Sequence, residues 1–291
     1  MSSSTTPLVA LSTASVYPES TAHGFGWAAS LGYDAVEVMV GIDALSQQVD
    51  AVKRLSEHHQ VPICAVHAPC LLFTQRVWGT DPWGKLEKSA EMAEAVGADV
   101  VVVHPPFRWQ RDYAAGFVEG IASLEARTGI AFAVENMYPW RASSRRGMEM
   151  YLPGWDPSGE DYANTTIDLS HAAIARSDVV AMAERMGSSL RHIHLTDGTD
   201  SGRDEHLVPG RGTQPVRELL AEIVHHGWQG DVAIEIGTRK ARTAAERCDD
   251  VRQALAFART YLTPGAHPEF VPTPSHHRPD DAWDAPPAVL E

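Results

Sequence analysis

The residues with chemical potential are histidines and carboxylates, and they are densest in Arg191–Gly212, RHIHLTDGTDSGRDEHLVPGRG. His192 and His194 alternate with Ile193 and Leu195, so a strand here puts both histidines on one face. A polar loop follows with Asp197, Asp204 and His206, closed by the turn Gly210-Arg211-Gly212. Comparable residues close other apolar runs: His67 after PICAV, His104 after DVVVV, Glu135 in IAFAVEN, Asp168 in NTTIDL with His171 three residues on, and Glu235 in DVAIEI. One such ending is ordinary, but six successive strands ending in His, His, Glu, Asp, His and Glu are hard to obtain by coincidence. Brought together they form a set of five histidines and four carboxylates. Buried carboxylates are costly without a counter-charge, and a divalent cation supplies one. Mixed nitrogen and oxygen ligation suits zinc, manganese, iron or cobalt.

The elements that must position these residues alternate regularly. Strands are expected at 8–12, 33–40, 62–67, 99–104, 130–136, 164–169, 191–195 and 231–236. Helical patterns are expected at 20–31, 43–59, 81–96, 110–128, 171–186, 214–227 and 243–262, with stops at Gly32, Gly97 and Gly129. The strands are nearly continuous apolar runs, as parallel strands covered on both faces should be. Eight strands alternating with seven helical patterns over about 255 residues fit one α/β domain, a (β/α)8 TIM barrel over 7–262, whose strand ends converge on one face. No glycine-rich phosphate fingerprint follows the first strand, which argues against a doubly wound sheet. Met137–Ala163 has no clean period and reads as a lid or a disordered loop. Residues 263–291 are proline-rich without periodicity, an extended or disordered tail; His276 and His277 there read as solvated.

Composition narrows the class. Hydrophobic residues make up 44% and charged ones 21%, a globular balance. The formal charge of -14 argues against a nucleic-acid partner, which is held by basic surface. Cys64, Cys70 and Cys248 match no zinc spacing and read as reduced, packed thiols. No stretch approaches the ~20 apolar residues of a membrane span, and MSSSTTP does not resemble a signal peptide. A cytoplasmic enzyme is expected, and the sequence leaves an oligomer open. His192 lies deeper than His194 and is read as a core residue or one supporting a ligand. Glu37, at the end of the second strand, is read as a support for the site or a salt-bridge partner, and Asp197 as orienting its loop or a ligand histidine.

The segments VHAP (66–69), VVHPP (102–106), AVEN (133–136), IDLSH (167–171), HIHLTDG (192–198), DEHLVPGRG (204–212) and IEIG (234–237) resemble the xylose isomerase-like TIM barrel superfamily. It includes sugar phosphate isomerases and epimerases and apurinic endonucleases of the endonuclease IV type. The epimerase resemblance implies one divalent metal, often manganese or cobalt, on Glu135, Asp168, His194 and Glu235, with the two glutamates also acting as acid and base. The endonuclease resemblance implies three zinc ions on His67, His104, Glu135, Asp168, His171, His194, Asp204, His206 and Glu235, and all nine positions are filled. The sequence departs from that family where it enters DNA: the second strand runs into Val40-Gly41-Ile42, and His67 is followed by Ala68-Pro69-Cys70.

The expected function is therefore a metal-dependent isomerase or epimerase of a sugar or sugar phosphate, working by proton transfer through an enediolate. Its cofactor is one to three ions of zinc, manganese or cobalt. Glu135 and Glu235 are the candidate bases, with His171 and His104 on substrate oxygens. Arg211, Arg239 and the Trp140–Arg146 segment, including Trp140 and Arg141, are candidates to bind substrate. The alternative is a multinuclear zinc phosphoesterase of the endonuclease IV type.

Overall fold

The computed structural model describes residues 6–140 and 149–265. Its frame is a closed barrel of eight parallel strands in sequence order, the first pairing with the last. The strands are β1 Leu8–Ser12, β2 Ala35–Met39, β3 Ile63–His67, β4 Val100–Val103, β5 Ala131–Glu135, β6 Thr165–Asp168, β7 Leu190–Leu195 and β8 Asp231–Ile234. The helices outside them are α1 Thr21–Leu31, α2 Val49–His59, α3 Pro82–Val96, α4 Arg111–Ala115, α5 Phe117–Thr128, α6 Leu169–Ala175, α7 Val179–Met186, α8 Val216–His225 and α9 Ala244–Leu262. No described helix is long and apolar enough to cross a membrane.

Strand alternation divides the core in two. Val9, Leu11, Val36, Val38, Val66, Val101, Val103, Phe132, Val134, Ile193, Val232 and Ile234 face outward and pack under the helices. Ala10, Ala35, Ala65, Val100, Val102, Ala133 and Ala233 form a separate cluster of small side chains in the lumen. Two residues further along the same strands, the lumen-facing positions become Glu37, His67, His104, Glu135 and Glu235. The small lower layers give the larger polar ones room.

The expected elements differ from the observed ones in four places. Residues 43–59 form a 3-10 turn at Ala44–Gln47, capped by the Asp43 carboxylate, before α2. The pattern at 110–128 breaks at Gly116 into α4 and α5. The one at 171–186 also splits: α6 starts directly from β6, capped by the Asp168 side chain, and α7 starts anew on Asp178. Glu37 lies in the middle of β2 rather than at its end, because the flanking pattern shows the burial of both strand faces and not where pairing stops. Of the long Met137–Ala163 segment, residues 137–140 and 149–163 are described; Tyr151 bridges to Phe107, and a 3-10 turn forms at Pro157–Gly159. Residues 266–291, most of the expected tail with His276 and His277, lie outside the described residues.

Two contacts show how the outer layer is fixed. The buried Lys85 amine, on α3, donates to the carbonyls of Thr74 at 3.1 Å and Gln75 at 2.8 Å, pinning the loop that follows His67. Helices α3 and α5 meet where the Trp83 ring lies flat against Gly120; a Cβ added there would run into the ring. Alanine is the better helix former by ~1 kcal/mol, yet overpacking costs typically about 1–3 kcal/mol. Gly120→Ala is therefore expected to lower the unfolding free energy in a urea titration, and an unchanged or raised midpoint would refute the tight approach.

Candidate metal centre

The centre of the barrel mouth is the Glu135 carboxylate, at the end of β5 and 1% exposed. Its Oε2 lies 3.3 Å from His67 Nε2 and 3.0 Å from His104 Nε2. Its Oε1 lies 3.1 Å from His171 Nδ1 and 3.3 Å from His194 Nδ1. His194 Nδ1 is also 3.0 Å from Glu235 Oε2 and 3.8 Å from Asp168 Oδ2. On the far side, Asp204 reaches His206 Nε2 at 3.1 Å and His171 Nε2 at 3.4 Å. The nine strand-end and loop residues singled out in the sequence thus lie in one connected cluster.

The backbone sets which nitrogen each imidazole turns to the centre. A carbonyl can only accept, so the ring nitrogen facing one carries the hydrogen; these tautomers are assigned from partners. His67 Nδ1 faces the Ala68 carbonyl at 3.0 Å, His171 Nδ1 that of Asn136 at 2.9 Å, and His206 Nδ1 that of Glu235 at 3.0 Å. In each case Nε2 is left facing a carboxylate oxygen. A lone pair against a carboxylate is repulsive unless a proton or a cation lies between them. Asp168 shows the same bias: Oδ1 accepts from the His171 backbone N–H at 2.7 Å, while buried Oδ2 has no hydrogen-bond partner. Glu135 Oε2 and Glu235 Oε2 are likewise buried without a hydrogen-bond donor.

These orphaned oxygens and inward-facing nitrogens fit a divalent cation. The ligand atoms of Glu135, Asp168 and His194 lie within 4.8 Å of one another, and so do those of His67, His104 and Glu135, and those of Asp168, His171 and His206. Imidazole and carboxylate together suit zinc, manganese or cobalt.

Without a cation, protons take its place. Burial opposes charge on His194 and His171, but the carboxylates around them raise both well above the ordinary imidazole value. His206, similarly opposed by burial, is pushed up to about 10 by Asp204 and Asp168. Burial would raise Glu135, but His194 and His104 hold it well below the usual carboxylate range. His104 is lowered, because burial outweighs the pull of Glu135.

The β7–α8 loop is held by two residues. Asp197 accepts from the backbone N–H groups of Gly198, Gly210, Gly212 and Gln214, and its carboxylate packs so closely on Gly212 that a Cβ would collide with it. Asp197 thus orients the loop through its backbone. Ser170, not singled out in the sequence, donates to Asp204 Oδ1 at 2.8 Å and accepts from the N–H of Glu205 and of His206. That aims Asp204 and His206 inward, with His206 held at a positive φ of 44°, an uncommon conformation for a non-glycine residue. The available signal was the placement of Ser170 between Asp168 and His171.

The substrate-binding candidates fare differently. Arg211 does not face the mouth as an anion holder: its guanidinium is buried against α9, 2.7 Å from Asp250 Oδ1 and 2.9 Å from Gln253 Oε1. A Gly-Arg-Gly turn looks solvated in sequence because its acidic partner lies 39 residues away. Arg239 is exposed, over the Tyr17 ring at 5.8 Å. Trp140 is half-buried with Phe107, Trp109 and Tyr151 beside the mouth. Arg141 lies outside the described residues. Below the cluster, fully buried Glu37 contacts both His192 and His194; burial would raise its carboxyl, but the two histidines, His194 foremost, hold it well below the usual range.

Comparison with known proteins agrees with this geometry. A family model described as xylose isomerase-like TIM barrel matches residues 25–261. An uncharacterized protein of Mycobacterium leprae is 48% identical over 272 residues, covering 87% of this chain and 97% of that protein. Fructoselysine 3-epimerase of Escherichia coli O157:H7 is 22% identical over 237 residues, 74% of this chain and 85% of the enzyme. The crystal structure of a D-tagatose 3-epimerase-like protein superposes with a TM-score of 0.62 at 23% identity, covering 88% of this chain and 100% of that one, a likeness of fold.

In the metal-free protein, a cation must displace the protons on His171, His194 and His206. Their folded values lie above the ordinary imidazole value, with His206 at about 10. Cation affinity should therefore keep rising with pH through neutrality, with protons released. Chelator competition over a pH series checks this, and a plateau already reached at neutral pH would contradict it.

Proposed function

The chain belongs to the xylose isomerase-like TIM barrel family, and from that membership we propose that it is a divalent-metal-dependent sugar isomerase or epimerase. The observation that carries this reading is that Glu135 and Glu235 both reach His194 Nδ1, at 3.3 and 3.0 Å, with Asp168 beside them. Two carboxylates from β5 and from just beyond β8 then flank one point in the mouth. The epimerase names of the fructoselysine enzyme and of the D-tagatose 3-epimerase-like protein support the same reaction class.

Glu135, Asp168, His194 and Glu235 would hold the cation, which supplies Lewis-acid stabilisation of negative charge developing on substrate oxygens. The remaining chemistry is proton transfer next to a carbonyl. Nearby histidines hold both glutamates below the carboxylate range, Glu235 less strongly, so each starts in the proton-accepting form. One removes the proton from the carbon beside the carbonyl, giving an enediolate; the same or the opposite glutamate returns it. Return to the other face inverts the centre, and return to the neighbouring carbon moves the carbonyl. His104 and His171, at the edge of this group, are placed to steady substrate oxygens. An uncharged sugar is favoured over a phosphate, because Arg211 is committed to Asp250 and Gln253.

A second reading, a zinc phosphoesterase, is favoured by one feature. His67, His104, His171, Asp204 and His206 extend the cluster well beyond the four residues that a single ion needs. About three ions per purified chain, with cleavage of an abasic-site duplex, would establish it.

Glu135→Gln and Glu235→Gln are each expected to lower solvent deuterium incorporation into a ketose substrate by about 10²–10⁴-fold. Retained exchange would remove that residue from the proton path. Asp204→Asn combined with His206→Ala should leave one tightly bound ion per chain on the epimerase reading. Loss of further ions, measured by elemental analysis against the wild type, would favour the hydrolase.

A further inference from the structure

Glu37 is a buried carboxylate on β2, a strand that carries none of the acids assigned to the cation. Its side chain is 0% exposed, as are those of His192 and His194. One oxygen, Oε2, lies 2.9 Å from His192 Nε2 and 3.0 Å from His194 Nε2. These are N–H···O lengths, and with His194 Nδ1 turned to the candidate cation, Nε2 is the nitrogen left to carry the hydrogen. Could the three side chains hold an ion of their own? Their ligand atoms lie close enough together, but two imidazole N–H groups donating to one oxygen already account for both distances.

We propose that Glu37 is a positioning residue for the metal centre: it holds His194 as the Nε2–H tautomer and so aims the Nδ1 lone pair at Glu135, Asp168 and Glu235. The proposal rests on the reading of His194 as a cation ligand. His192 completes the device as the second donor, bracing the Glu37 carboxylate from β7, the strand that carries His194. Both residues of this brace are fully buried, and the Glu37 carboxylate has no described lysine or arginine partner. A carboxylate behind a ligating imidazole fixes its ring and makes it more basic, and loss of such a partner typically weakens metal binding about 10–100-fold.

The test uses the full chain and zinc as the probe. In zinc-loaded wild-type protein with isotope-labelled histidine, nitrogen NMR should show His194 protonated at Nε2 only, with that proton in a hydrogen bond. Relative to the metal-free imidazolium, zinc should displace the Nδ1 proton and leave the Nε2 proton in place. Glu37→Gln should weaken zinc binding about 10–100-fold in chelator competition, with the secondary structure unchanged by circular dichroism. Three results would overturn the proposal: a proton retained on His194 Nδ1 once zinc is bound, zinc acting at Nε2, or a Glu37→Gln variant that binds zinc within about twofold of wild type, well short of that loss. If the variant does not fold, the wild-type spectrum alone decides. If wild type binds no zinc, the cation reading fails by itself, while the Nε2 proton still tests the role of Glu37.

Discussion

An ionised carboxylate enclosed in protein is costly unless charges or donors surround it. Glu135 meets that constraint in an extreme form: four histidines from β3, β4, α6 and β7 converge on its two oxygens within 3.3 Å. His67 is turned by a backbone carbonyl so that a lone pair, not a hydrogen, faces Glu135, and His171 and His206 are turned likewise so that theirs faces Asp204. The mouth is therefore built around a missing positive charge. Protons can supply it at the expense of strongly raised histidine values, and a divalent cation supplies it without them. Binding and proton chemistry are thereby coupled at one carboxylate.

The rest of the barrel serves that centre in layers. Alanines and valines fill the lower lumen and leave width above them. Glu37 and His192, both fully buried, back His194. The clustered histidines and carboxylates form the mouth, and the loops finish it. Lys85 pins the loop after β3, Ser170 ties the start of α6 to Asp204 and His206, and Asp197 gathers four backbone N–H groups of the β7–α8 loop. Preorganisation of this kind keeps the inward-facing groups within a fraction of an ångström of a working geometry.

Much of this was legible in the chain. Six apolar runs stop at a charged or imidazole side chain, and eight apolar runs spaced by helical patterns leave few architectures. The helix boundaries were less legible. The break at Gly116 and the immediate start of α6 at Leu169 depend on how each helix must settle onto the barrel. Arg211 misled because a Gly-Arg-Gly turn looks solvent-facing, and Ser170 was passed over because a serine at a helix start reads as a local cap.

What the sequence determined by itself follows from local periodicity. Alternation by two assigns a side chain to lumen or outer face, and a strand end assigns it to the mouth, so the membership of the cluster could be read directly. What only the tertiary structure decided is which atoms face each other. Glu37 meets His192 and His194 across 155 and 157 residues, and Arg211 turns to Asp250 instead of the mouth. Those pairings depend on closure of the barrel and on its strand registers, which shift locally between β2 and β3 and between β6 and β7. A register shift moves a side chain relative to its neighbours across the lumen while leaving the alternation along its own strand untouched.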